Sequence, residues 1–269
     1  MVEQQLVMEI KENTMKRFEN KVCYVTGAGS GIGKATALSF AREGGKVVVC
    51  DINETNAQTT ANEIITAGGE ALALAVNIAN REEVENSISQ TKAHFGRLDC
   101  AANIAGIAGP VSMKIHEYPD EFWHQQININ LTGTWYCMKF QLTEMLKNGG
   151  GNIVNLSSAA GLIAQPENSP YAASKHGVVG LTKTAAREYA TDNIRVNCIC
   201  PTAIETPMLM EGRRKLAHNP EAKQAAINFQ AMKRMGTPQE IADVVLWLCS
   251  DESSFITGSA IAADGGALC

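Results

Sequence analysis

Several features of specialised chains are missing from this sequence. No apolar run reaches the ~20 residues that would span a bilayer, so no membrane partner is expected. The first nineteen residues mix charge with apolar side chains (Glu3, Glu9, Lys11, Glu12, Lys16, Arg17, Glu19) and lack the unbroken apolar centre of a secretory signal. Residues 1–19 read as an extension, flexible or loosely docked, ahead of the first strand. Positive charge is not in excess: 23 Lys and Arg face 28 Asp and Glu, a net charge of -5, which argues against nucleic acid as a partner. The five histidines (His94, His116, His124, His176, His218) are scattered and offer no metal-ligand set. No Cys-x-x-Cys occurs among the eight cysteines, and Cys198-x-Cys200 has no His at metal spacing. Most of these thiols lie in apolar runs, where they act as small hydrophobes. That usage fits a reducing, cytoplasmic setting better than a disulfide framework. There is no linker and no internal repeat, so residues 20–269 read as one domain.

What is present is an ordinary globular mix, 45% hydrophobic and 19% charged, with a specific unit near its start. The apolar run Lys21–Val25 leads into Thr26-Gly27-Ala28-Gly29-Ser30-Gly31-Ile32-Gly33. A helical pattern follows to about Glu43, Gly44-Gly45 stops it, and Lys46–Asp51 forms a second apolar run ending in an acid. Strand, Gly-rich turn, helix, strand and acid make a βαβ unit. Glycines let a diphosphate approach the backbone, and the helix start offers free N–H groups and a positive dipole end. Asp51 can accept from the ribose hydroxyls of an adenosine. The strict G-x-G-x-x-G spacing is absent; the glycines read Gly27-x-x-x-Gly31-x-Gly33. The placement between two strands carries the dinucleotide reading.

The alternation continues. Helical patterns cover about 55–67, 81–95, 119–147, 171–189 and 238–250; strand-like runs cover 71–77, 98–102, 151–156, 194–200 and 260–263. Such alternation predicts an α/β, doubly wound Rossmann fold, a parallel sheet with helices on both faces. Residues 202–236 are less periodic and read as an irregular lid over the substrate.

One helical pattern opens with Tyr171-Ala172-Ala173-Ser174-Lys175. Residues four apart share a helix face, so Tyr171 and Lys175 can point into one cleft. A free phenol, pKa about 10, is a poor base at neutral pH. A nearby ammonium favours the phenolate. Ser158, thirteen residues earlier at the end of an apolar run, can hydrogen-bond a substrate oxygen. These groups suit proton removal from an alcohol, or its delivery to a carbonyl.

In order and spacing, Thr26-Gly27-x-x-x-Gly31-x-Gly33, Asn103-x-Ala105-Gly106, Asn130, Ser158, Tyr171-x-x-x-Lys175, Pro201 with Thr206, and Asp264-Gly265-Gly266 resemble the short-chain dehydrogenase/reductases of about 250 residues. The resemblance covers about 18–266. It implies Tyr171 as acid/base, Lys175 lowering its pKa and holding the nicotinamide ribose, and Ser158 positioning substrate. Ser157 is also a hydroxyl, but the thirteen-residue spacing matches Ser158. Asn130 is implied to hold a water linking Lys175 to solvent. The implied cofactor contacts are Gly27, Ser30, Gly31, Ile32, Gly33, Asp51, Asn77, Asn103, Ala105, Gly106, Tyr171, Lys175, Pro201, Ile204 and Thr206. Three positions depart from the family pattern: Asn77 for an Asp, Ile104 for an Asn, and Thr202 for a Gly.

The expected activity is hydride transfer between NAD(H) and a neutral, partly hydrophobic secondary alcohol or ketone. Asp51 and the lack of a basic neighbour favour NAD over NADP. The alternatives are an NADPH-dependent 3-oxoacyl carrier reductase and a non-catalytic NAD-binding sensor. Surplus apolar residues on the segment 122–146 (Trp123, Ile127, Trp135, Met138, Phe140) and on the helix 172–189, taken with the resemblance, imply a homotetramer.

Overall fold

The computed structural model describes residues 16–110, 112–212 and 215–269. Their strands are β1 (Val22–Thr26), β2 (Lys46–Asp51), β3 (Ala71–Ala75), β4 (Cys100–Asn103), β5 (Gly151–Leu156), β6 (Ile194–Pro201) and β7 (Ala260–Ala263). They form one sheet in the order β3-β2-β1-β4-β5-β6-β7. Every neighbouring pair is parallel. Parallel neighbours need crossover connections. Here these contain α1 (Gly31–Arg42), α2 (Glu54–Thr66), α3 (Arg81–Phe95), α4 (Asp120–Gln126), α5 (Thr134–Lys147), α6 (Ser169–Tyr189), α7 (Pro207–Met210), α8 (Pro220–Phe229) and α9 (Pro238–Cys249).

The strand sequences explain the two-faced core. Successive side chains point to opposite faces. Cys23 and Val25 of β1, with Val47 and Val49 of β2, pack among Phe40 of α1 and Ile241 and Val245 of α9. Val22, Tyr24, Val48 and Cys50 pack on the other face with Val84 and Ile88 of α3 and Cys137 and Met138 of α5. Runs such as Val47-Val48-Val49-Cys50 are apolar throughout because both faces are covered. Seven of the cysteines are buried free thiols, and Cys269 is exposed.

The site's location follows from the strand order. From β1 the chain turns one way to β2 and β3, and β4 then starts the other half of the sheet. The carboxyl ends of β1 and β4 therefore diverge, and the crevice there is where open α/β sheets bind ligands. Thr26 closes β1 opposite Asn103 of β4. The Thr26 Oγ1 accepts from the backbone N–H groups of Ile104 (3.0 Å) and Ala105 (3.1 Å), tying the crevice floor together.

Four sequence expectations are corrected. Phe18 is not part of a loose lead-in: it is buried, meets Phe40 edge-on at 4.8 Å, and its N–H bonds Glu43 O. Residues 1–15 of the expected extension lie outside the described residues. The single long helix expected over 119–147 is divided by a π-helical segment, Ile127–Gly133. The described residues of 202–236 are more ordered than the sequence suggests. Helices α7 and α8 begin with Pro in the first turn, and Asn219 Oδ1 caps α8 by accepting from Ala222 N. Of the surplus apolar residues, Met138 and Phe140 belong to the core, while Trp123 and Trp135 are exposed. No helix among the described residues is long and apolar enough to cross a membrane.

Candidate active site

The crevice opens into a cleft of about 1090 Å³. One half is built by the turn after β1. Gly27 has φ 64° and Gly31 φ 52°, the left-handed region that favours glycine. A Cβ on Gly33 would run into the Gly27 carbonyl, so the start of α1 lies directly on the turn. Ser30 is the N-cap of α1, yet its side chain makes no capping bond. The first-turn N–H groups of the helix are thereby left for an anion. Ser30, Ile32 and the three glycines all line the cleft.

Asp51 ends β2 on the same wall. Its Oδ2 accepts from Gly29 N and its Oδ1 from Asn53 N, both at 2.9 Å. These backbone bonds fix the carboxylate where a ribose would follow the diphosphate. Asn77 lines the wall beyond it, with Oδ1 accepting from Ala79 N. The uncapped helix start, the bare glycine backbone and the fixed acid fit a dinucleotide.

The other half holds the reactive groups. Strand β5 ends at Leu156 and delivers Ser157 and Ser158 to the cleft. Buried Ser157 donates from Oγ to Lys175 O at 2.9 Å, fastening α6 to the strand end. Ser158 is more open, and its Oγ accepts from Ala160 N at 3.2 Å. The structure thus gives the two hydroxyls different work, and Ser158 is the one able to meet a substrate.

Tyr171 and Lys175 lie one turn apart on α6, with Lys175 Nζ 5.7 Å from the phenol ring centre. The ammonium is 4% exposed and donates to Leu156 O at 2.7 Å. Burial lowers its pKa from 10.5 to about 8, with the Cys200 and Cys198 sulfurs opposing the shift. Gly106 lies beside this group: a Cβ there would stand 3.6 Å from Lys175 Nζ and 3.0 Å from Asn130 Oδ1.

Two expected site residues act from behind the wall. Asn103 is buried at the end of β4, where Nδ2 donates to Gln141 Oε1 and Asn155 Oδ1. It braces β4 against β5 and α5 and does not line the cleft. Asn130, fully buried in the π segment, grips Ile107: Oδ1 accepts from its N–H (2.8 Å) and Nδ2 donates to its carbonyl (2.9 Å). Pro201, Ile204, Thr206, Ala105 and Gly106 are in the cleft wall. The sequence reading missed the α8 residues Ala222, Ala225, Ala226 and Phe229, which also line it. Their three- and four-residue spacing was a usable helical signal. Asp51 and Lys175 are the charged groups among the described lining residues. No metal-binding cluster is found among the described residues.

A consequence for stability follows from the buried lysine. Its folded pKa lies below the unfolded 10.5, so the fold disfavours the charged form. The penalty is full below pH 8, on the order of 3 kcal/mol, and fades as pH rises from about 8 to 10.5. Lys175→Met in the free enzyme is therefore expected to be at least as stable as wild type at pH 7, with the difference moving against the variant above pH 8. Urea unfolding at pH 7 and pH 10 measures this. A variant less stable at pH 7 than at pH 10, each relative to wild type, contradicts it.

Comparison with known proteins agrees with this geometry. A family model described as enoyl-(acyl carrier protein) reductase matches residues 27–267. The chain is 43% identical over 249 residues to cyclohexanol dehydrogenase of Acinetobacter sp. (strain SE19), covering 93% of this chain and 95% of that protein. It is 40% identical over 253 residues to the 3-oxoacyl-[acyl-carrier-protein] reductase FabG of Thermotoga maritima, covering 93% and 98%. The crystal structure of levodione reductase superposes with a TM-score of 0.89 at 35% identity, over 93% and 98% of the two chains. The chain is an oxidoreductase whose cofactor is a nicotinamide dinucleotide, NAD or NADP, and it belongs to the short-chain dehydrogenase/reductase family.

Proposed function

We propose that the protein interconverts a neutral, partly hydrophobic secondary alcohol and its ketone using NAD(H). The observation that carries this is the convergence of Ser158, Tyr171 and Lys175 on one wall of a cleft with few charges. Beyond them the wall is mostly small and apolar, with Ile107, Ala160, Ile163, Met208 and Phe229 as examples. A relative named for cyclohexanol supports a compact alicyclic substrate.

The start of α1 would hold the diphosphate of the dinucleotide, and Asp51 would accept from its adenosine ribose. Bound NAD supplies the hydride acceptor. The Ser158 Oγ accepts from Ala160 N, which leaves its O–H to hold the substrate oxygen. Tyr171, as phenolate, takes the hydroxyl proton. The Lys175 ammonium beside the ring stabilises that phenolate and has N–H capacity beyond its Leu156 bond for the nicotinamide ribose. Asn130 holds Ile107, and so the loop next to Gly106, against Lys175. A water joining Lys175 to solvent would use what remains of its accepting capacity.

A 3-oxoacyl carrier reductase is the second reading, supported by the FabG relative. Against it stand Asp51, which repels a 2'-phosphate, and the described lining residues, whose basic group is Lys175. A sensor reading is opposed by the complete set of Ser158, Tyr171 and Lys175.

Cofactor choice separates the first two. The kcat/KM with NAD should exceed that with NADP by at least about tenfold, ~1.4 kcal/mol. Asp51→Ala should narrow the gap; equal or better turnover with NADP rejects the assignment.

Catalysis is tested with cyclohexanol and NAD as probes. Tyr171→Phe should lower kcat by at least ~10²-fold, the usual contribution of acid–base catalysis, while NADH binding persists. Ser158→Ala should also lower kcat, since its bond strengthens as charge develops on the oxygen. A folded, NADH-binding Tyr171→Phe protein that turns over near the wild-type rate removes Tyr171 from the mechanism.

Exposed Trp123 and Trp135 on α4 and α5 support a homotetramer with two-fold axes. Light scattering at micromolar concentration should give four times 28.8 kDa; the monomer mass would rule assembly out.

A further inference from the structure

A chain of buried polar groups outside the reactive set joins the two walls of the substrate half. Asn168 immediately precedes α6 and is 1% exposed. An Asn in this place ordinarily caps its helix. Here the side chain makes no capping bond. Its Nδ2 donates instead to Ala108 O at 3.0 Å, and its Oδ1 accepts from Tyr118 Oη at 3.3 Å. Tyr118 Oη in turn accepts from Gln126 Nε2 at 2.8 Å. Gln126 is the last residue of α4 and fully buried, and its Nε2 also reaches Phe122 O at 3.5 Å.

The donors run one way, from Gln126 through Tyr118 to Asn168 and on to Ala108. That direction fixes the Asn168 amide with its nitrogen toward the loop. The loop itself is built to receive it. Gly109 has φ 77°, and a Cβ there would stand 2.5 Å from Gln126 Nε2. Glu167, also at positive φ (62°) although not glycine, accepts from Met113 N at 3.0 Å. Backbone held in this region by its surroundings is typical of functional sites. Two asparagines therefore hold consecutive carbonyls of one cleft wall: Asn130 holds Ile107 and Asn168 holds Ala108. Ile107, Ala108 and Asn168 all line the cleft, and Asn168 stands three residues before Tyr171.

We infer that Gln126, Tyr118 and Asn168 are positioning residues that set the spacing between the Ile107–Ala108 wall and Tyr171, and so fix how closely an alcohol is held to the phenol. The kinetic part of this rests on the function proposed above. The chain does not reach the dinucleotide half, so cofactor binding should be insensitive to it.

Tyr118→Phe is the decisive variant, because it removes both hydroxyl bonds and keeps the ring. With cyclohexanol and NAD, KM for the alcohol should rise at least fivefold. The Kd for NADH should stay within twofold, and the pH dependence of kcat should keep its position. Asn168→Asp replaces the donor to Ala108 by an oxygen and should raise KM similarly. Adding Tyr118→Phe to it should change KM by less than twofold further, because both break one chain. A role confined to folding predicts instead a lower kcat, from a smaller active fraction, at unchanged KM. That result, or a parallel loss of NADH affinity, overturns the inference. Amide hydrogen exchange tests the pinning without turnover. Exchange at Ile107–Gly109 should quicken at least tenfold in Tyr118→Phe while β4 is unaffected; unchanged exchange overturns it. If the wild type is inert toward alcohols, the proposed function fails and the exchange experiment alone decides the positioning role.

Discussion

The constraint on which the site depends is the burial of one positive charge. Lys175 is buried in the cleft wall, and its acceptor among the described residues is the carbonyl of Leu156 at the end of β5. A buried ammonium is unfavourable unless it is bonded, and the fold supplies the bond by pressing α6 onto the strand end. Ser157 completes the attachment by donating to the Lys175 carbonyl. The same low-dielectric setting that depresses the lysine's own pKa strengthens its effect on the neighbouring phenol. In the proposed mechanism, stability and chemistry are opposed at this position.

The proposed proton transfer also requires a firmly held wall facing Tyr171, since the substrate oxygen must lie within hydrogen-bond reach of the phenol. Three buried asparagines do much of this holding. Asn103 braces the strand behind the wall, Asn130 holds Ile107, and Asn168 holds Ala108. None needs to touch substrate to matter. The π segment places Asn130 behind the cleft wall, and Thr134 Oγ1 donates to the Asn130 carbonyl at 2.8 Å. Such a departure from α-helical geometry is frequent at functional sites.

The parts of this arrangement that are local in sequence were legible without coordinates. Apolar runs without alternation gave the covered strands, the glycine-rich turn gave the first crossover, and a four-residue spacing put Tyr171 and Lys175 on one face. Parts that depend on contacts far apart in the chain were not legible. Phe18 looks like part of a charged lead-in until Phe40, twenty-two residues later, is seen against it. Helix α8 has apolar residues at helical spacing, but they face a cleft and not the core, and Pro207, Gly212 and Pro220 disguise the pattern. Asn103 reads as a cleft residue because its neighbours are, yet its side chain turns inward to Gln141. Asn168 would read as a helix cap, the one bond it does not make. The divided helix at 127–133 has the same residue pattern as an unbroken one, because seven residues are too few for periodicity to register the change.

The proposed mechanism requires the Lys175 charge, 5.7 Å from the Tyr171 ring centre, to favour the phenolate. Ultraviolet difference titration of wild type against Tyr171→Phe, with NAD bound to both, reads that ionisation directly. The prediction is one phenolate appearing well below the ordinary pKa of about 10 in the wild type and absent from the variant. Coincident titration curves for the two proteins below pH 10 would contradict the account.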